Sequence, residues 1–464
     1  MQAPRGPKPR TSSALQTVSA SSSEVVGSIT PRSCDVQSQA FADDRPIQVH
    51  RALSEALETL QLPLEETLYK HIDKFMLWNF PSMPVVHPSA LKQDVRLLLP
   101  DSRQRFESVA LNGDFVAESA RRETDMRAFT LVTAVCAMAS CRTRPNSSDL
   151  RMDALLAPFL SASRNMLACF EDWDVSHANS SSLVIRSRHS AALHHLGQTH
   201  RSWYVLGSAL RLATDMRLDE PSSYDGLSPL ETKIRKNMFL SLCISDKSAS
   251  VLNNRPVTFH EICWNESAIT PTILEDSISL LTSEESYHDQ AYENRLHEGF
   301  HLCHRLWTAA TDILLDMKTL SRLYTRAGCE IPPSDPVQMG IMHSYMAFCG
   351  FLDTLPPWLR NPDCHASENE VVTTYQTQAF WHQRANLVVT FHCLRLILLQ
   401  RAIEKGFCNL LGLTSNPDML SLRKVEIASD MSTVVATIPF EALQANGEPL
   451  VRCFAAARRL IIID

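Results

Sequence analysis

Ser228 and Pro256 bracket a stretch of this chain whose helical extent is set at both ends by its own residues. Ser228 followed by Pro229 at the first helical position and by Glu231 three residues on reads as a capping box, in which side chains satisfy the amides that a helix start leaves open. Asn253-Asn254-Arg255-Pro256 reads as a stop, since asparagine tolerates a left-handed cap and proline cannot prolong a helix. Between start and stop, Ile234, Met238, Leu242 and then Ile244 or Ser245 recur at helical spacing, and upstream Trp203, Leu206, Leu210 and Ala213 do the same. Residues 201–261 are therefore expected to form two amphipathic helices joined by a short acidic, Ser/Pro-rich loop.

The same period runs through most of the chain. Helices are expected over residues 52–60, 65–78, 90–99, 129–140, 149–169 and 180–196, with a proline-rich extended link over 79–90. A long helix over 293–327 carries Leu296, Phe300, Cys303, Trp307, Ala310, Leu314 and Met317 at alternating steps of four and three. Residues 263–287 hold Thr, Pro and Ser in quantity and read as a surface excursion. No alternating strand pattern of any length appears, so the expected class is all-α, a multi-helical body over residues 46–464. Residues 1–45, rich in Ser, Pro, Ala and Gln, are expected to be a disordered tail in which Arg5, Lys8 and Arg10 are a solvated basic cluster.

Charge and sulfur narrow the function. A net charge of −7 argues against a body that grips nucleic acid by itself, because phosphate affinity rests on Lys and Arg. The thirteen cysteines are scattered and none forms a Cys-x-x-Cys pair, a pattern of free thiols in a reducing compartment. The longest apolar run, residues 129–141, is too short to span a bilayer. No membrane partner is expected.

Within residues 201–261, Trp203 and Gly207 precede Ala209, Arg211, Ala213, Asp215 and Leu218, an A-x-R-x-A-x-D-x-x-L order. Leu227 to Glu231, Arg235-Lys236, Leu242 to Asp246-Lys247, and Asn254-Arg255-Pro256 follow. In this order and spacing the segment resembles the middle homology region of fungal zinc-cluster (Zn2Cys6) transcription factors. Departures are Phe239-Leu240 where an aromatic pair with Trp is usual, Lys247 for Arg and Asn254 for Gly. Residues 68–75 and the link at 79–90 resemble the family's opening helix, and 343–359 and 380–402 its later helices.

The resemblance implies an all-α regulatory domain, a nuclear location, and control of a metabolic or biosynthetic gene cluster, including secondary metabolism. It also implies Trp203, Gly207, Arg211, Asp215, Ser228, Pro229, Glu231, Arg235, Asp246, Arg255 and Pro256 as signature residues of structural or regulatory weight. The family binds zinc through six closely spaced thiolates, and those are not in this sequence, so no cofactor is expected here. DNA contact is expected to be indirect, through a related regulator or other DNA-binding partner, or through a zinc-cluster segment outside this sequence, with a small-molecule effector as a further partner. A metabolite-sensing or scaffold protein is the alternative.

His297, Glu298 and His301 make a formal H-E-x-x-H, the helix pattern in which two imidazoles bind zinc and the glutamate activates water. A zinc metallopeptidase would follow. The third ligand is the difficulty, because His304 shares the helix face of His297 and His301. Packing of a core helix is the preferred reading, and the chain is not expected to be an enzyme. No Gly-rich phosphate loop and no Gly-x-Ser-x-Gly elbow occurs. Arg235, Asp246 and Arg255 are expected to form a polar network in which a buried Asp–Arg pair fixes helix packing.

Overall fold

A computed structural model describes residues 44–107, 115–141, 154–259, 278–281, 289–327, 336–364 and 372–462. Among these, no strand forms and helices dominate, so the fold is all-α. The expected N-terminal tail and most of the 263–287 excursion fall outside the described residues.

The N-terminal helices are α1 (Arg45–Thr59), α2 (Leu64–Trp78) and the short α3 (Pro88–Asp94). The helix expected over 90–99 therefore ends early, passing into a 3-10 turn at Val95–Leu98. Helices α4 (Phe115–Ser140), α5 (Leu156–Ser176) and α6 (Ser180–His195) pack on one another, with α2 against α4 and α1 against α5. The signature helices follow as α7 (Thr199–Asp215), paired with α6, and α8 (Pro229–Asn253). The long α9 (Gln290–Ala327) leads to α10 (Pro336–Cys349) and one turn, α11 (Pro357–Arg360). Then comes α12 (Thr374–Lys405), which packs against α9 on one side and against α13 (Pro417–Thr437), α14 (Phe440–Asn446) and α15 (Glu448–Ile462) on the other. Those last three helices lie beyond the elements that the sequence pattern marks.

Local chemistry explains the boundaries. Ser228 accepts from the Glu231 amide at 3.3 Å, and Asn254 ends α8 in the left-handed region with φ 53°. Thr373 and Gln376 cap each other at the start of α12, and Gly406 closes it with φ 71°. Helix α12 is apolar and long enough to cross a membrane by length and composition, but 72% of its apolar window is buried inside the fold. That reach exceeds the 129–141 run, because burial on several faces removes the need for a polar side.

The core has two main parts. One gathers side chains from Leu53 to Leu296 together with Ala379 and Phe380; the other gathers Val251 and residues from Leu302 to Ala457. Helices α8, α9 and α12 contribute to both. The Phe80–Ser82 turn and the extended link after it pack into the first part, and two of their carbonyls are met rather than orphaned: Asn237 Nδ2 donates to Pro84 O at 2.7 Å and Gln383 Nε2 to Pro81 O at 2.6 Å.

Buried imidazoles run through both parts. Burial pushes His50, His71, His297 and His392 down to about 4 and His189 and His304 down to about 3, so all six are neutral at pH 7. In the unfolded chain they protonate near pH 6.5, so between that pH and about 4 the unfolded state holds the extra protons. Stability is therefore expected to fall as pH drops through this window, each group costing up to about 1.4 kcal/mol per pH unit. Denaturant midpoints measured from pH 7.5 to 4.5 check this; a flat profile would contradict it.

Candidate functional site

Helix α8 is buried along most of its length although it carries Lys233, Lys236, Asn237, Ser241, Asp246 and Lys247 at buried positions. Each of these side chains reaches a different neighbour. Lys233 Nζ donates to Glu293 Oε1 at 2.7 Å and to the Ile278 carbonyl at 2.6 Å. Glu293, fully buried, also accepts from the Leu281 amide at 3.1 Å and from Ser279 Oγ at 2.5 Å, which pins residues 278–281 to α9. Burial would raise this carboxyl, but the Leu280 amide, Lys233 and Ser279 hold it below the usual carboxylate range. Lys236 lies 5.3 Å over the Tyr224 ring, and Lys247 Nζ donates to Thr308 Oγ1 at 2.6 Å.

The expected Arg235–Asp246–Arg255 network does not form. Arg235 Nε donates to Glu231 at 2.6 Å, one turn away on its own helix. Asp246 instead accepts from the backbone amides of Thr258 at 2.7 Å and Phe259 at 3.0 Å, capping the chain just after Pro256, and burial raises its carboxyl. Arg255 lies 5.3 Å over the indole of Trp203. The stop motif folds residues 254–259 back along α8, which brings Asp246 to amides and Arg255 to an aromatic face.

Glu231 also corrects the expected capping box. Its amide is capped by Ser228, but its carboxylate turns outward and accepts from the Ser180 amide at 2.8 Å and the Ser180 hydroxyl at 2.6 Å, at the first turn of α6. Of the remaining signature residues, Arg211, Asp215 and Pro256 are exposed, Pro229 is the first residue of α8, and Trp203 is half-buried. A Cβ at Gly207 would meet only the Arg211 guanidinium at 3.9 Å, an ordinary contact.

A buried carboxylate–arginine cluster does exist, at a place the sequence does not flag. Asp174 at the end of α5 is fully buried and accepts from Arg127 Nε at 2.7 Å, Ser182 Oγ at 2.8 Å and Arg186 Nη1 at 2.5 Å. It ties α4, α5 and α6 together. The available signal was α6 itself, where Arg186, Arg188 and His189 sit among Ser and Ala with no polar face to carry them.

Of the H-E-x-x-H residues, His297 is bonded into the packing of α8 and α9. His297 Nε2 accepts from Asn237 Nδ2 at 3.0 Å and Nδ1 donates to the Glu293 carbonyl at 3.0 Å, so both ring nitrogens are engaged. Glu298 is exposed and His301 half-buried. His304 lies 3.5 Å from Thr308 Oγ1. Among the described residues no group of three His, Cys, Asp or Glu is placed to hold a metal. Gly299 is the motif's structural residue: a Cβ there would come within 2.2 Å of Gln383 Oε1, so α9 and α12 approach closely only because it is glycine.

A cavity of about 250 Å3 opens beside the signature helices. Its deep wall is Arg188, Met138, Phe300 and Leu450, all buried, and exposed His195, Asn253 and Pro449 mark its outer end. It sits where the core changes hands. On α8 the lining residues Ile244, Ser245 and Ser248 fall between Cys243 of one core part and Val251 of the other. On α9 Phe300 falls between Leu296 and Leu302, and on α12 Asn386 falls between Phe380 and Leu387. Trp203 and Leu206 of α7 complete one side and Trp307 of α9 another. The cavity surface is mostly apolar, with Ser, Thr, Asn, His and Arg side chains interspersed among the lining residues, a mixture found in small-molecule sites.

No family model, curated protein or solved structure matches this chain.

Two substitutions test this packing. Glu231→Ala removes the carboxylate that meets two donors at the α6 start and is expected to cost about 1–2 kcal/mol in chemical denaturation. Gly299→Ala must displace the buried Gln383 amide from the Pro81 and Leu296 carbonyls and is expected to cost about 2 kcal/mol or more; an unchanged melting midpoint would show that the amide yields freely.

Proposed function

We propose that this protein is a regulator of transcription, working in the nucleus of a fungal cell on a metabolic or biosynthetic gene cluster, whose helical body responds to a partner or small molecule and does not itself hold DNA. The observation that carries the reading is the signature segment. Its residue order from Trp203 to Pro256 resembles the middle homology region of fungal zinc-cluster regulators, and the same residues build α7, α8 and the stop that lays Arg255 on Trp203 beside the cavity. The net charge of −7 supports an indirect route to DNA, through a DNA-binding partner or a zinc-cluster segment outside this sequence.

The cavity also favours a second reading, a metabolite sensor or scaffold with no transcriptional role, since the same pocket serves either protein. The two separate in a cell. With the full chain fused to a heterologous DNA-binding domain in a fungal reporter strain, regulation predicts altered reporter output and a tagged chain found in the nucleus. A silent reporter with the chain outside the nucleus would retire the regulator in favour of the sensor. In a gel-shift assay the purified chain is expected to give no complex with DNA at physiological salt; a specific complex that weakens steeply with salt would overturn the indirect route.

A further inference from the structure

We infer that the cavity beside α7 and α8 binds an uncharged aromatic molecule of single-ring size, its ring against a wall of sulfur and aromatic side chains and its one accepting oxygen, a carbonyl, at Asn386. The bonding state of the wall carries the inference. Many lining residues are polar, but their polar atoms are largely spent on the protein itself. Ser190 Oγ donates to Ser202 O at 2.9 Å, Ser245 Oγ to Ser241 O at 2.9 Å and Ser248 Oγ to Ser245 O at 2.9 Å. Asn446 Nδ2 donates to His382 O at 2.9 Å and to Ala442 O at 2.8 Å.

The cations of the wall are engaged in the same way. Arg188 Nη2 donates to Met83 Sδ at 2.6 Å and Arg452 Nη1 to Asn253 Oδ1 at 3.2 Å, and each of these arginines, like His194 and His195, makes a further contact within the protein. Arg255 lies over the Trp203 ring, two residues from exposed Asn253 at the outer end. No aspartate or glutamate is among the described lining residues. A charged group seated deeper than Arg255 would give up its water and find no unengaged counter-charge, so a neutral occupant is favoured.

What the engaged groups leave is polarisable surface. Met138, Cys303 and Cys453 are buried in the wall together with Phe300 and Trp307. Sulfur and aromatic faces favour a flat π-system over a saturated ring of the same size. The volume of about 250 Å3 is at the small end for ligand pockets, which suits a single ring. Asn386 is the exception to the spent polar groups. Its Oδ1 accepts from Thr390 Oγ1 at 3.2 Å, whereas Nδ2 has no hydrogen-bond partner among the described residues and is not sealed from solvent. One half-buried donor in an otherwise satisfied wall selects a ligand with one acceptor. As an effector this molecule rests on the regulatory reading; the site itself does not.

The purified full chain is titrated with acetophenone by ligand-observed NMR, against benzoate, cumene and cyclohexyl methyl ketone. Saturable binding of acetophenone to one site is expected, with benzoate weaker by about tenfold or more, cumene by about fivefold and the saturated ketone by a few-fold. Asn386→Leu is expected to abolish the preference for acetophenone over cumene, and Ser248→Leu to block both by filling the cavity. Benzoate binding as well as acetophenone, no saturable binding, or full affinity in Ser248→Leu would overturn the site; an acetophenone preference that survives Asn386→Leu would overturn the role of the amide. If Ser248→Leu fails to fold, the indole NMR signals of the unaltered chain locate the ligand: those of Trp203 and Trp307 are expected to shift with acetophenone while that of Trp173, outside the wall, stays, and the converse would overturn the site. Binding with a silent reporter keeps the site and removes the regulator; an active reporter without binding does the reverse.

Discussion

A helix buried on most sides that nevertheless carries three lysines and an aspartate has few places to sit. Each of those groups costs several kcal/mol if left without a partner away from water. Helix α8 meets that constraint with a different neighbour for each group: Glu293 and the Ile278 carbonyl for Lys233, the Tyr224 ring for Lys236, two backbone amides for Asp246 and Thr308 for Lys247. Asn237 adds Pro84 and His297. These contacts set the positions of the extended link, of α9 and of the chain after Pro256, all relative to one helix. The Asp174 cluster does the same for α4, α5 and α6, and Glu231 joins the two systems at Ser180.

The cavity follows from this arrangement. Small side chains face the gap, Ser187, Ser190 and Ala191 on α6 with Ser245, Ser248 and Ala249 on α8. Close packing is the norm in protein interiors, and here Gly299 brings α9 within contact of α12 only a few residues from Cys303 on the cavity wall. Tight and loose packing thus sit side by side on α9.

How much of this was legible differs residue by residue. Ser228 and Asn254 were, because capping depends on bonds that span three or four residues and on backbone angles of single positions. The stripe of α9 was, from Leu296 to Met317, since it needs only a period. Glu231 was legible as a helix-start residue but not as the cap of a different helix, fifty residues away in sequence. Asp246 was legible as a buried acid, yet its partners are backbone amides, which every residue type has and which leave no trace in sequence. Asp174, Arg127 and Arg186 carry no motif at all. In the H-E-x-x-H, the glycine is what the helix contact uses, and His297 is engaged by Asn237 and a carbonyl, neither of which the motif announces.

The sequence by itself determined the all-helical class, the two helices of residues 201–261 and where α8 begins and ends, because these rest on local periodicity and local hydrogen bonds. Only the tertiary structure decided which partner each buried charge takes, that α8, α9 and α12 share two cores, and that a cavity lies at their crossing. Those outcomes depend on distances between residues far apart in the chain, and a one-dimensional pattern of side chains does not encode such distances until the helices are packed.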